Sequence, residues 1–197
     1  NWLSLPFSYA YAVLILIAFF LFFQSSFEGI INNWPTTYLT HKMTIAGSQA
    51  LYALSLYVIG MAVMRLLIGS VLRNVSSRKI LFFSFFLLTL GSLLLTLGNV
   101  YPAAVSGLIL TGAGLAAGFP VMLGFVGNRY SELSGTAFSF VLFVALTGNM
   151  LINFLMGIIA ENFGVHHLTT VALSMTAIMF LLTLGILKNL KLNTYKN

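Results

Sequence analysis

The 197-residue chain has no cysteine, which excludes disulfides and thiolate metal sites. Histidine is nearly absent as well: His41, His166 and His167 all fall at expected loop positions, so no zinc or haem constellation, and no other cofactor, is expected. Charge is scarce. Only 6% of residues are charged and three are acidic, against about 25% charged in a soluble domain, which excludes an aqueous surface of ordinary chemistry. No cleavable signal pattern precedes the first apolar run. The opening residue, Asn1 rather than Met, predicts a cut from a longer chain at an interdomain loop.

What remains is apolar. Hydrophobic residues make up 59% of the chain and mean hydropathy is +1.01. Six runs, 11–34, 48–72, 80–98, 102–126, 136–160 and 168–187, exceed or approach bilayer-crossing length, which is ~20 residues at a helical rise of about 1.5 Å. Backbone amides in lipid must be satisfied within the segment, so helices are the only candidates. The expected fold is all-α, a polytopic membrane protein of six transmembrane helices in one domain over residues 1–197.

The formal charge of +6 would point to nucleic acid in a soluble protein, but its placement argues for topology instead. With the first helix starting in the cytoplasm, Arg73, Arg78, Lys79, Arg129, Lys188, Lys191 and Lys196 all fall inside, and only Lys42 falls outside. This asymmetry fits the positive-inside rule. Both termini are expected in the cytoplasm and the protein in the cell (inner) membrane, with the lipid bilayer as partner and no nucleic acid.

At an offset of 88 residues the chain matches itself: Gly69 falls on Gly157, Asn74 on Asn162, Ser76 on Gly164, Gly60 on Gly148 and Arg65 on Asn153. That offset is three helices, an odd number, so the units face opposite sides of the membrane. The expectation is two inverted three-helix repeats, about 1–98 and 99–197, of the kind common in secondary transporters.

Large polar side chains inside a membrane are costly unless they face protein or water, so they map a pathway. Gln24, Glu28 and Asn32 form one stripe at i, i+4, i+8 on the first helix, with Ser25 beside it. The second helix carries Gln49, Tyr52 and Ser55, then Arg65 deeper in; the fifth carries Asn149 and Asn153. The third and sixth have only Ser and Thr, which bond back to their own backbone. Helices 1, 2 and 5 are therefore expected to look inward, with 3 and 6 as outer scaffold. In the fourth, Gly107, Gly112, Gly114, Ala116, Gly118 and Pro120 predict close packing and a bend.

Each polar site has two readings. Glu28 is either a pathway-lining carboxylate that accepts solute hydroxyls or carries a proton, or a structural group near a helix end. Asn149 and Asn153 either bind solute or hydrogen-bond across helices. Counting rise from the helix ends separates Glu28 and Arg65 by roughly 15 Å in depth. Arg65 is thus expected to snorkel inward or pair with loop groups rather than meet Glu28. Arg73, Arg78 and Lys79 serve as anchors or as gate contacts.

Together these features resemble the C-terminal half of a major facilitator superfamily transporter. Gly69, Arg78 and Lys79 fit the family's cytoplasmic loop motif, although Arg73 stands where an acid is expected and Ser76 replaces a glycine. An echo after the fifth helix keeps Glu161 and Gly164. The stretch from Gly112 to Pro120, then Gly135, Gly148 and Gly157, is similar to helices ten and eleven of the family. Within it, Phe27-Glu28-Gly29 with Trp34 and Tyr38, and the run from Arg65 to Gly69, resemble fucose permease and related sugar transporters. The resemblance implies proton-coupled symport of a small polar solute, such as a sugar, by alternating access. It also implies a cavity lined by helices 1, 2, 4 and 5, and a partner in the absent N-terminal six-helix half.

Three rival readings are weighed. The vitamin-binding membrane subunit of an energy-coupling-factor importer usually carries Ala-x-x-x-Ala on its first helix, which is missing here. An intramembrane serine protease needs a histidine at membrane depth to activate the serine; no span holds one, so no enzyme is expected. A non-transporting scaffold is the third.

Overall fold

The computed structural model describes residues 7–194, with side chains described over 11–190. Lys196 and the side chain of Lys191 therefore lie outside the described residues. The chain is all-helical as expected, with α1 (Phe7–Asn33), α2 (Pro35–Met43), α3 (Gly47–Gly69), α4 (Ser77–Leu97), α5 (Tyr101–Leu115), α6 (Gly118–Arg129), α7 (Ser134–Phe163) and α8 (Leu168–Thr194). Short 3-10 turns precede α7 and α8. Among the described residues, six segments are long and apolar enough to cross a membrane: α1, α3, α4, α5 with α6, α7 and α8.

The fourth span is two helices, not one bent helix. Pro120 lies in the first turn of α6, where its missing N–H costs nothing, and its ring excludes a helical carbonyl four residues back at Ala116. The break falls there, upstream of the proline itself. The last turn of α5 tightens as Ala116 N–H bonds to the Ala113 carbonyl at 3.3 Å.

A nine-residue connector was also expected to be loop but is helical: α2 begins on Pro35, ends at Met43 and is capped by Thr44 in the left-handed region (φ 51°). It is too short for periodicity to reveal. Tertiary contacts hold it instead. Lys42 Nζ donates to the carbonyls of Leu95 (2.6 Å) and Thr96 (2.8 Å), and Tyr38 Oη donates to Leu95 O at 2.8 Å. These are the last carbonyls of α4, which a helix leaves unpaired and which favour a cation.

α1 packs against α7 and α8, and α5 packs against α3 and α4, while α4 meets α8 and α1 meets α6. Exchanging the first three spans for the last three reproduces this pattern. Gly112 lets α5 press its backbone on Tyr57 of α3, and Gly114 does the same against Ser84 and Leu88 of α4. The core runs along α1, where Ile17, Phe20, Leu21, Phe27, Ile30 and Ile31 are sealed from the surroundings. In contrast, α3 and α7 flank the bundle and leave Leu51, Ile59, Leu66, Phe143, Met150 and Phe154 exposed.

Candidate functional site

The polar stripe on α1 meets the broken helix. Gln24 is 2% exposed, and its Nε2 donates to the Leu115 carbonyl at 2.8 Å and to Glu28 Oε1 at 3.1 Å. Leu115 ends α5, so Gln24 satisfies a buried carbonyl that the break orphans. Gly118 opens α6 against the Gln24 amide, where any Cβ would collide with it.

Glu28 and Arg65 are paired, which corrects the depth argument from sequence. Arg65 Nη2 lies 3.4 Å from Glu28 Oε1, with 45% of the arginine side chain and 20% of the glutamate exposed. The error lay in treating all helix ends as level. Tyr101 Oη donates to the Gln49 carbonyl at 2.9 Å where both helices begin, and further along Gly60 packs on Ile109 and Tyr57 on Gly112, so α3 and α5 run side by side in the same direction. One to two turns further on, α3 brings Arg65 to the α5–α6 break, the level at which Gln24 holds Leu115. The length of the arginine covers the remaining rise.

Both donors fall on Oε1, leaving Glu28 Oε2 open as an acceptor. Arg65 spends one of its five N–H donors on the pair. The Tyr57 hydroxyl, which lies within electrostatic reach of both charges, is buried and has no hydrogen-bond partner among the described residues. Tyr57 was missed from sequence, although Tyr57, Met61 and Arg65 form an i, i+4, i+8 stripe that carried the signal.

The α7 asparagines bond to each other and to α1. Asn149 Nδ2 donates to Ser25 Oγ at 3.4 Å, and Asn153 Nδ2 donates to Asn149 Oδ1 at 2.8 Å. Gly29 of α1 is what lets both amides approach. At the end of α1, Asn33 Nδ2 donates to Asn153 Oδ1 at 3.0 Å. Asn33, not singled out from sequence, makes this bond, and both Asn33 and Asn32 are exposed. Tyr52 is 61% exposed on the flank of α3, away from this network.

Gly69 closes α3 with open space around it, and Arg73, Arg78 and Lys79 are exposed at the same end of the bundle. This is the basic end of the bundle. The structure thus joins Gln24, Glu28, Arg65 and Gly118 into one cluster at the helix break. Asn149 and Asn153 form a second, on the α1–α7 seam. Chemically the first cluster offers a carboxylate with a free oxygen, a guanidinium with spare donors, and a hydroxyl.

Residues 11–194 match the Major Facilitator Superfamily. The chain is also similar to the riboflavin transporter RibZ of Clostridioides difficile (strain 630), at 28% identity over 153 residues. That alignment covers 77% of this chain and 33% of the relative, so the chain spans about a third of the relative's length. A match over nearly the whole described length, on six apolar helices packed as above, makes this chain a multi-pass membrane protein that belongs to the major facilitator superfamily.

Proposed function

We propose that the chain is the C-terminal six-helix half of a secondary transporter that moves a small polar solute by alternating access, with proton coupling. Both termini would face the cytoplasm across the cell membrane, as the basic end suggests. The two inverted three-helix units, 1–98 and 99–197, would form one wall of the cavity and the N-terminal half the other. The symmetric packing of α1 with α7 and α8, and of α5 with α3 and α4, supports the repeat.

One observation carries the reading: the charged pair in mid-span, Glu28 and Arg65, is half-open and sits on a broken helix. Ionisable groups are expensive at that depth and persist where they serve a pathway. Broken helices in transporters lie where solute binds. Glu28 Oε2 and the spare Arg65 donors would hold the solute, Gln24 would tie them to the α5–α6 break, and Asn32 would extend the path to the opposite mouth. Glu28 is the proton-carrying candidate because it is the acid within this cluster. Asn149 and Asn153 would hold α1 to α7, the face they already bridge.

The solute would be a hydrogen-bonding molecule of sugar or vitamin size. The sugar follows from the likeness of 27–38 and 65–69 to fucose-permease-like carriers, and a flavin from the name of the relative. Membership of the family favours a carrier over an energy-coupling-factor subunit or a scaffold. The test is uptake of radiolabelled monosaccharides and of riboflavin by the full-length transporter in proteoliposomes, with and without an imposed pH gradient. Gradient-driven uptake that falls at least tenfold in Glu28→Gln, at unchanged protein level, is the expected result. Undiminished, equally pH-dependent uptake in that variant would remove Glu28 from the mechanism.

A further inference from the structure

A second cluster of positive charge lies away from the pathway, on the scaffold helices. Arg78 in the first turn of α4 and Lys188 near the end of α8 line one groove of about 320 Å³ together with Phe82, Leu184 and Leu187. α4 and α8 run in opposite directions, so both cations stand at the basic end of the bundle. Phe82 is four residues from Arg78 and Leu184 four from Lys188, so each helix places an apolar side chain one turn, about 5.4 Å, deeper than its charge. The Phe82 and Phe180 rings meet edge-on at 5.8 Å and close the floor.

We infer that this groove is a binding site for one anionic phospholipid. The headgroup phosphate lies between Arg78 and Lys188, and the first methylenes of an acyl chain lie along Phe82, Leu184 and Leu187. Charge complementarity selects the occupant. No carboxylate lines the groove, and neither cation has an ion-pair partner among the described residues. A membrane protein presents such a groove to lipid, and basic pockets between transmembrane helices suit anionic headgroups. The vertical order of charge above apolar surface is the order within a phospholipid. Plain positive-inside anchoring needs the two charges but not a shared, walled groove between two helices. The inference is independent of the solute, since the groove shares no residue with the Glu28–Arg65 cluster.

The test is native mass spectrometry of the full-length transporter titrated with phosphatidylglycerol, phosphatidylcholine or free glycerol phosphate. Retention of phosphatidylglycerol over the other two is expected, with affinity falling roughly tenfold or more in the Arg78→Gln/Lys188→Gln double variant. A double variant that binds phosphatidylglycerol as well as the parent overturns the site, as does equal retention of phosphatidylcholine. Full competition by glycerol phosphate would reduce the site to a phosphate point and also overturn it. Should the double variant fold poorly, photoactivatable phosphatidylglycerol mapped on the unaltered protein decides. Labels should fall within 78–82 and 184–188, and labelling spread evenly along the lipid-facing helices would refute the assignment.

Discussion

Gln24 Nε2 lies 2.8 Å from the carbonyl oxygen of Leu115, and this one contact ties the polar stripe of α1 to the end of a broken helix. The same nitrogen reaches Glu28 Oε1, so the carboxylate, the amide and the break form one unit. A displacement of α6 relative to α5 would shift Gln24 and, through it, the acceptor of Arg65. Under the proposed function, a solute contact at Glu28 would thereby be linked to the helix break at 115–118 through a single side chain.

Replacing Gln24 by leucine leaves the Leu115 carbonyl buried and unbonded, which costs about 1–3 kcal/mol. Gly118→Ala is expected to destabilise by a similar mechanism, because its Cβ meets the Gln24 amide, whereas Gly124→Ala enters open space in the same helix. Thermal unfolding of the full transporter in detergent should lower Tm for Gly118→Ala and Gln24→Leu and leave Gly124→Ala near the parent. Equal effects at the two glycines would mean that Gln24 does not hold the break.

The Glu28–Arg65 contact is long and its arginine half-exposed, so its strength should be modest, about 1 kcal/mol or less. A double-mutant cycle with Glu28→Gln and Arg65→Gln should give a coupling of that size in stability. Transport should respond more strongly: each single variant leaves one polar group without its partner at membrane depth, and the double variant should not be worse than either. Strictly additive losses in uptake would show that the two residues act separately.

The number, length and order of the spans were readable from hydropathy alone, since bilayer thickness imposes them. The inward stripe of Gln24 and Glu28 was readable from i, i+4 spacing. The relative heights of helices were not, because axial offset between α1 and α3 is set by how Tyr57 seats on Gly112 and Gln24 on Leu115. These contacts join residues 55 and 91 positions apart, and counting from helix ends misplaced Arg65. The break at Ala116 was half-readable: Pro120 announces a bend, and its steric reach four residues back decides where it falls. α2 was hidden because its stability comes from the α4 carbonyls and not from its own nine residues.

These 197 residues contain no cysteine, so once any cysteine elsewhere in the full transporter is replaced, an introduced thiol is unique. Asn149→Cys should react slowly with a hydrophilic maleimide, because the side chain faces Ser25 and Gly29 on the α1–α7 seam. Asn32→Cys, at an exposed position on the same stripe as Glu28, should react quickly. Comparing the two rates in the full transporter, with and without solute, separates a packing amide from a pathway residue. Rapid, solute-protected labelling at 149 would assign that asparagine to the pathway.

The clamp of α2 on α4 offers the last comparison. Lys42→Ala removes two bonds to the Leu95 and Thr96 carbonyls but leaves Tyr38 on Leu95. Tyr38→Phe removes the bond to Leu95 and the hydroxyl's bond with the Thr169 side chain. Bonds made by a charged group contribute about 1.5–3 kcal/mol against about 0.5–1.5 for neutral ones, which predicts a larger loss for the lysine. Because Lys42 lies in the last turn of a short helix whose Pro35 and Leu39 stay buried, the loss should appear as local opening and not as global unfolding. Hydrogen exchange should accelerate over 35–43 while α1 and α5 keep their protection. Uniform acceleration across the bundle would show instead that α2 is part of the cooperative core, and that its bonds to α4 support the whole six-helix unit.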